Sequence, residues 1–256
     1  MANRITAKVV ARRSFGCASE LVLEAPFSFS AEPGQFVHVQ CAYKGLILRR
    51  PYSIYDTRDG KAALLVREVG AGSAWLCAKR VGEKVDVLGP LGKGFKLCGE
   101  GRSAMVAGGT GIASIRFLAT SMRESGLEPV IFWGVESKNE YGGLPAFLQG
   151  EMDLRLASLD GSIGYAGNVV DLFDTVDAGE FHAIYACGPR GMLSALAERI
   201  GSRVGDLQVS MEERMACGVG ACRGCVVPAA QPVGAYLTAC KDGPVFYGRE
   251  LDWRRI

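Results

Sequence analysis

Residues 103–126 read SAMVAGGTGIASIRFLATSMRESG, and this stretch decides the fold class. Its apolar start predicts a buried strand, GGTG a tight turn, and IASIRFLATSMRE a helix that ends at Gly126. Glycines in such a turn let the backbone approach a pyrophosphate, and the start of the helix offers free amide groups to an anion. The spacing is not the G-x-G-x-x-G of an ordinary Rossmann domain. Taken alone, the turn fits a nucleotide site and a merely tight connection equally well.

The sequence after Gly126 repeats this strand–helix rhythm. The segments PVIFWGV, LRLASLDG and HAIYACGP predict strands, and they alternate with the predicted helices LPAFLQG, NVVDLFDTV and PRGMLSALAERIG. Strands and helices that alternate at this spacing predict a parallel, doubly wound sheet. Cys187-Gly188-Pro189 ends one of the strands, and ligands bind at the carboxyl ends of strands in such sheets. This second motif adds weight to a nucleotide site.

Before residue 100 the pattern is different. The short apolar runs ITAKVV, ELVLEA, QFVHVQ, ALLVREV and KVDVLGP are separated by turn residues, which predicts an antiparallel barrel or sandwich. Within this region, the segment from Arg49 to Ile54 reads RRPYSI. An arginine there can pair with a pyrophosphate, and Tyr52 can lie against a flat ring. The alternative is an ordinary edge strand with an exposed arginine, and the segment alone favours that alternative.

Four of the nine cysteines crowd into 24 residues near the C-terminus. They are Cys217, Cys222, Cys225 and Cys240, spaced C-x4-C-x2-C-x14-C. This is the plant-type arrangement of a 2Fe–2S cluster, and the interspersed Gly218, Gly220 and Gly224 allow a loop tight enough to curl its amides toward the sulfurs. Structural zinc and free buried thiols are the alternatives. Zinc sites usually pair cysteines as two C-x2-C knuckles, and only one such knuckle exists here.

Composition and charge exclude several classes of protein. Of the 256 residues, 48% are hydrophobic and 22% charged, and the net charge is only +2 with no basic run longer than a pair. These values give no support to nucleic-acid binding. The N-terminus lacks the apolar core of a signal peptide, and no window of about 18 apolar residues predicts a membrane span. We therefore expect a cytoplasmic protein without a membrane partner, whose cysteines serve a purpose other than disulfides.

The motifs RPYS, GGTGI and CGP, in this order, resemble those of the ferredoxin-reductase superfamily, which pairs an FAD-binding antiparallel barrel with a nicotinamide domain. The segments SMEERMACGVGACRGCVVP and CKDGPVF are more specifically similar to the electron-transfer subunits of type B dihydroorotate dehydrogenase, as are REVGAGS and GPLGKGF. The resemblance covers nearly the whole chain. It implies an α+β multidomain fold: an FAD-binding β-barrel over residues 1–100, a doubly wound α/β NAD-binding domain over 101–208, and a small 2Fe–2S unit over 209–256.

The resemblance also implies site residues. FAD would contact Arg50, Pro51, Tyr52, Ser53, Arg67, Glu68, Val69, Gly72 and Ser73. NAD(H) would contact Gly108, Gly109, Thr110, Gly111, Ile112, Cys187, Gly188 and Pro189. The four clustered cysteines would hold the 2Fe–2S cluster. No catalytic side chain is predicted, because the cofactors carry the hydride and electron chemistry.

The implied function is electron transfer between NAD(H), FAD and the cluster, to or from an FMN-containing catalytic subunit that interconverts dihydroorotate and orotate in pyrimidine biosynthesis. Two copies of each subunit would form a heterotetramer. One alternative is the flavin subunit of a sulfhydrogenase or of an NADH-dependent ferredoxin–NADP oxidoreductase; in the latter a carboxylate can replace one cluster cysteine. An alternative of another class is a binding module whose C-terminal unit is stabilised by zinc and which has no redox activity. The preference between NAD and NADP stays open.

Overall fold

The computed structural model describes residues 3–26, 29–43, 45–201, 203 and 207–256. Its N-terminal part contains six strands: β1 (Asn3–Phe15), β2 (Ala18–Glu24), β3 (Phe36–Gln40), β4 (Arg50–Arg58), β5 (Lys61–Arg67) and β6 (Lys84–Leu91). They pair antiparallel in the order β1-β2-β5-β4-β3-β6, and β1 closes the barrel by pairing with β6. The predicted antiparallel barrel is confirmed.

Alternate residues of the barrel strands face its interior. On β3, Val37 and Val39 belong to the apolar core inside the barrel. Because side chains alternate along a strand, Phe36 and His38 face outward. A short helix, α1 (Ala71–Cys77), follows β5 and packs against the same core.

The second part of the chain is a layered α/β unit. Six parallel strands lie in the order β10-β9-β8-β7-β11-β12. They are β7 (Arg102–Gly108), β8 (Glu128–Val135), β9 (Asp153–Ser158), β10 (Tyr165–Ala166), β11 (Ala183–Cys187) and β12 (Leu207–Ser210). The helices are α2 (Ile112–Glu124), α3 (Leu144–Gln149), α4 (Val169–Phe173) and α5 (Arg190–Ile200). Since α2 and α3 cover one face of the sheet and α4 and α5 the other, the predicted doubly wound sheet is confirmed.

The strand order creates a switch point beside β7. In the sequence, β7 is the first strand of this sheet, but in space it lies between β8 and β11. The helix after β7 (α2) lies on one face of the sheet and the helix before β11 (α4) on the other, so a crevice opens at the carboxyl ends of β7 and β11. The glycine-rich turn 108–111 follows β7, and Cys187-Gly188-Pro189 ends β11, so both motifs lie at this crevice.

The C-terminal part is joined to the rest of the molecule by its last strand. It forms a hairpin of β13 (Val226–Pro228) and β14 (Tyr236–Thr238), and then β15 (Val245–Tyr247) pairs antiparallel with β12 at the edge of the large sheet. The apolar side chains of this part belong to one continuous cluster with those of the sheet and of the outer barrel surface. The unit therefore has packing support besides any cluster.

The domain ranges 1–100, 101–208 and 209–256 remain a prediction. The strand β12 crosses the boundary between residues 208 and 209, and β15 of the third range completes the sheet of the second. The first range begins at residue 1, which lies outside the described residues.

A buried ion pair joins the barrel to the α/β unit. The guanidinium of Arg116, on α2, lies 2.8 Å from the carboxylate of Asp56 on β4, and both side chains are more than nine-tenths buried. The same guanidinium lies 4.6 Å from the centre of the Tyr55 ring and 3.2 Å from the Glu151 carboxylate. A charge this deeply buried is stable only when it is paired. The network therefore fixes how α2 sits on the barrel.

Candidate functional site

The four clustered cysteines form two pairs in space. Cys217 and Cys222 interact within the loop before β13, and Cys225 and Cys240 interact at the base of the β13–β14 hairpin. Within the described part of the chain, no three His, Cys, Asp or Glu side chains converge as ligands of a single metal ion. A mononuclear zinc site needs such convergence, whereas a 2Fe–2S cluster holds two irons with four cysteines between them. Two pairs of cysteines are what the two irons of a 2Fe–2S cluster require.

Backbone amides point at the sulfurs of this loop. The amide of Gly220 donates to Cys240 Sγ at 3.1 Å, and the amide of Cys222 donates to Cys217 Sγ at 3.4 Å. Partial burial opposes ionisation of Cys217, but the amides of Cys222 and Val219 outweigh it and lower the pKa of this thiol to about 6. Thiolates are the iron ligands, and N–H···S hydrogen bonds stabilise their charge. The loop thus has the amide groups that stabilise cysteine thiolates as cluster ligands.

Two of the three loop glycines are required by the backbone. Gly218 and Gly220 have φ angles of 72° and 82°, in the left-handed region that favours glycine. A Cβ at Gly220 would also lie 2.7 Å from the Lys241 side chain. Gly224 differs, because a Cβ there would meet only the sulfur of Cys222, at an ordinary 3.6 Å. The predicted need for a small residue holds at the first two positions and has no support at Gly224.

A cavity of about 830 Å³ lies between the barrel, the start of α2 and the segment after β12. All the predicted FAD residues except Glu68 line it: Arg50, Pro51, Tyr52, Ser53, Arg67, Val69, Gly72 and Ser73. Thr110, from the glycine-rich turn, lines the same cavity. The structure therefore brings the barrel motifs and one residue of the nucleotide motif to a single space.

The RPYS motif and the start of α1 meet in this cavity. A Cβ at Gly72 would lie 3.6 Å from Nε of Arg50, so the guanidinium is next to the helix start. The hydroxyl of Ser73 accepts the amide N–H of Val69 at 2.9 Å and that of Gly70 at 3.1 Å. Ser73 thus orders the turn, and the Arg50 guanidinium provides a positive charge beside it. This is a suitable environment for a phosphate.

Two other predicted FAD residues are engaged elsewhere. The guanidinium of Arg67 lies 3.0 Å from the carboxylate of Glu140, which comes from the loop after β8. Glu68 is exposed away from the cavity, and its amide donates to the Cys17 carbonyl at 2.8 Å. Arg67 therefore links the barrel to the α/β unit as well as lining the cavity.

The two nucleotide motifs pack directly against each other. A Cβ at Gly111 would lie 2.0 Å from the Cys187 carbonyl oxygen, and one at Gly188 would lie 2.9 Å from the Gly108 nitrogen. Glycine is therefore required at positions 111 and 188, because any side chain there would keep the turns after β7 and β11 apart. The side chains of Ile112 and Cys187 are fully buried, and burial raises the pKa of the Cys187 thiol well above its usual value. At these two positions a bound nucleotide would meet backbone rather than side chain.

One wall of the cavity contains none of the residues predicted from the sequence. This wall consists of the consecutive residues Ser210, Met211, Glu212, Glu213, Arg214 and Met215. The signal was present, because SMEERM begins the most family-specific segment of the chain. An irregular segment has no period from which the direction of its side chains can be predicted.

The burial of His38 is a second feature of this region that the sequence does not predict. Alternation in QFVHVQ predicts an outward strand residue, and it does point away from the barrel core. The imidazole is nevertheless fully buried, because the C-terminal part covers this side of the barrel. Burial, followed by the positive charges of Arg49 and Arg50, lowers the pKa of His38 to about 4.

Comparison with known proteins identifies the family. Residues 212–252 match the model of the iron–sulfur cluster binding domain of dihydroorotate dehydrogenase B. The chain is 40% identical over 230 residues to the dihydroorotate dehydrogenase B (NAD(+)) electron transfer subunit of Geobacillus kaustophilus (strain HTA426), covering 86% of each chain. The chain belongs to this family of electron-transfer subunits. The corresponding subunit of Geobacillus thermodenitrificans (strain NG80-2) is 37% identical over 257 residues, covering 96% of each chain.

Solved structures agree with the family's fold. The structure of an NADH-dependent reduced ferredoxin–NADP oxidoreductase matches with a TM-score of 0.84 and 29% identity, over 97% of this chain and 90% of the other. Phthalate dioxygenase reductase matches with a TM-score of 0.66 over 93% and 77%, and at 17% identity this shows the fold alone. The predicted ferredoxin-reductase fold is confirmed.

Family membership confirms the predicted function as an electron-transfer subunit of an NAD-linked oxidoreductase. It also supports the predicted cofactors, FAD, a 2Fe–2S cluster and NAD(H). Among the described residues, no helix has the length and apolar character needed to cross a membrane.

Proposed function

We propose that this chain exchanges electrons between NAD(H), FAD and the 2Fe–2S cluster on one side and an FMN-containing dihydroorotate dehydrogenase catalytic subunit on the other. The observation that carries the proposal is a wall shared by the cavity and the cluster loop. Met215 lines the cavity two residues before Cys217, and Pro244 lines it four residues after Cys240. The Pro244 carbonyl accepts the amide of Met211 at 2.9 Å, which ties both segments together.

This arrangement suggests a role for each group of residues at the FAD, nicotinamide and cluster sites. When bound, FAD would supply hydride exchange with NADH and one-electron exchange with the cluster. Arg50 pairs with a phosphate of FAD, and the half-buried Tyr52 lies against a flat part of the cofactor. Thr110 and the backbone of the turns 108–112 and 187–189 face the nicotinamide nucleotide at the switch-point crevice. Cys217, Cys222, Cys225 and Cys240 hold the cluster, with amide groups directed at their sulfurs.

The partner and the assembly are part of the proposal. The curated relatives are named electron-transfer subunits of dihydroorotate dehydrogenase B, so a separate subunit carries the pyrimidine chemistry in those proteins. We propose the same partner here, with FMN, in a heterotetramer of two copies of each subunit. A cytoplasmic location is also proposed, and it is supported by the nine cysteines, all of which are free.

The isolated chain, loaded with FAD and cluster, is expected to oxidise NADH with artificial acceptors and to leave orotate unreduced. Adding the FMN-containing catalytic subunit is expected to start NADH-dependent orotate reduction, because that subunit supplies the second flavin and the pyrimidine site. Loss of orotate absorbance under anaerobic conditions measures the reaction, with the catalytic subunit alone as control. Orotate reduction by the isolated chain at a comparable rate would contradict the proposal.

Arg50→Ala is expected to weaken FAD retention by about ten- to a hundredfold, because a charge-assisted hydrogen bond to a phosphate is worth roughly 1.5–3 kcal/mol. The measurement is the dissociation constant of FAD by flavin fluorescence. Arg58→Ala is the matched control, since Arg58 lies on the same strand and is 62% exposed. Equal FAD affinity in both variants would show that Arg50 does not hold the cofactor.

A second candidate is a flavin subunit of an NADH-dependent ferredoxin–NADP oxidoreductase. The observation in its favour is the TM-score of 0.84 to such a structure. The greater identity to dihydroorotate dehydrogenase B subunits favours the first candidate. Co-purification of the chain from its own cells, followed by assay of the complex with orotate and with NADP, distinguishes the two.

A further inference from the structure

His38 lies between the barrel and the cluster loop. It points outward from β3, and a Cβ placed on Gly218 would lie only 2.5 Å from its Nδ1 atom. The imidazole is therefore in direct contact with the backbone of the residue that follows Cys217. Because Gly218 has a φ of 72° and no side chain, the loop can approach the ring this closely.

The ring nitrogens of His38 are buried without satisfied hydrogen bonds. Among the described residues, neither Nδ1 nor Nε2 has a hydrogen-bond partner of normal geometry, although the whole side chain is inaccessible to solvent. Burial and the charges of Arg49 and Arg50 lower the pKa of His38, and the backbone of Cys217 opposes them by favouring the protonated ring. An unsatisfied buried N–H is costly, so a fully buried imidazole aimed at a ligand-bearing loop indicates a polar partner there.

His38 is also connected to the flavin side of the barrel. It lies opposite Pro51 in the β3–β4 pairing, and Pro51 lines the cavity. The backbone carbonyl of His38 accepts a hydrogen bond from the guanidinium of Arg49 at 3.2 Å, and Arg49 also lines the cavity. A single residue thus contacts the cluster loop with its ring and the cavity wall with its backbone.

We propose that His38 is a positioning residue for the 2Fe–2S cluster. In the cluster-loaded chain, a hydrogen bond from a ring N–H to the Cys217 carbonyl holds the Cys217–Gly218 segment against the barrel and so fixes the cluster relative to FAD. This inference rests on the proposed function, because it assumes that electrons pass from FAD to a cluster in this loop. His38 touches neither substrate nor reacting atoms and acts through the loop alone.

The test compares two side chains of similar length and shape in the FAD- and cluster-loaded chain. His38→Gln keeps an N–H donor, whereas His38→Met fills the space without one and adapts to irregular packing. His182→Met is the matched control, because His182 is the other histidine of the chain and is exposed. Stopped-flow absorbance follows flavin reduction by NADH and then cluster reduction, and EPR records the dithionite-reduced cluster.

In His38→Met, cluster reduction is expected to slow about five- to tenfold, which corresponds to the loss of one hydrogen bond. Flavin reduction should keep its rate, and the EPR lines of the cluster should broaden because the loop is less well fixed. His38→Gln should stay near the parent, and His182→Met should match it. Parental EPR and cluster reduction in His38→Met would overturn the proposal. Equal loss in His38→Gln and His38→Met would also overturn it, because ring volume rather than the N–H would then be responsible.

A second pair of variants and the use of the isolated chain ensure that the experiment gives a clear result. His38→Asn and His38→Leu form a second pair of the same design, in case a member of the first pair loses FAD or fails to fold. All readouts use the isolated chain, so they do not depend on the partner. Failure of orotate reduction with the catalytic subunit would contradict the proposed function, whereas unchanged spectra in His38→Met would contradict only the role of His38.

Discussion

Cys222→Ser is expected to lose the iron–sulfur absorption and most of the bound iron while keeping FAD. Serine replaces a soft thiolate by a hydroxyl, which is a poor ligand for iron. Cys222 is exposed, so the substitution removes a proposed ligand with little disturbance of packing. NADH should still bleach the flavin, and electron transfer to the catalytic subunit should fall to near zero. Iron content, the visible spectrum and coupled orotate reduction measure these three effects.

Cys98→Ser is the control for this substitution. Cys98 lies outside the cluster loop, and its thiol donates to the Lys96 carbonyl at 3.3 Å, a bond that a hydroxyl can also make. This variant should keep both cofactors. Retention of a normal cluster in Cys222→Ser would contradict the ligand assignment. Loss of FAD together with the cluster would show that the two sites depend on each other for folding.

Arg116→Met is expected to destabilise the protein by about 3–5 kcal/mol, the usual effect of removing one partner of a buried ion pair. The variant leaves the buried Asp56 carboxylate with two neighbours, the exposed Arg58 guanidinium at 2.7 Å and the Thr57 amide at 2.9 Å. Urea unfolding at saturating FAD, followed by circular dichroism, measures the change in the free energy of unfolding.

Arg123→Met is the matched control for Arg116→Met. Arg123 lies on the same helix but is exposed. Its replacement should change the stability by no more than about 0.5 kcal/mol, as is usual for surface substitutions. Similar unfolding midpoints for Arg116→Met and Arg123→Met would show that the buried pair does not stabilise the contact between the barrel and α2.

The parts of the fold that the sequence predicts are those with a strong local period. Alternation in segments such as QFVHVQ predicts the barrel strands, and the run from strand through GGTG to helix predicts the α/β sheet. The spacing of the four cysteines likewise predicts a 2Fe–2S cluster. In each case the signal lies within one segment, so no knowledge of its neighbours is needed.

The parts that the sequence does not predict depend on neighbours in space. The strand β15 is three residues long and follows an irregular loop, so only its pairing with β12 makes it a strand. His38 is outward by alternation, but its burial depends on a segment about 180 residues further along the chain. Arg116 lies among apolar residues of α2, and its partner Asp56 belongs to another unit.

The antiparallel pairing of β15 with β12 limits how such subunits can be recombined. An iron–sulfur module that ends before residue 245 would leave the edge of β12 unpaired and would expose the apolar surface that Phe246 covers. An exposed strand edge of this kind promotes aggregation. A chimera that exchanges the cluster region between two reductases must therefore carry its terminal strand with it, and must match that strand to the host's β12. In this architecture, the cluster region and the nicotinamide sheet form one structural unit.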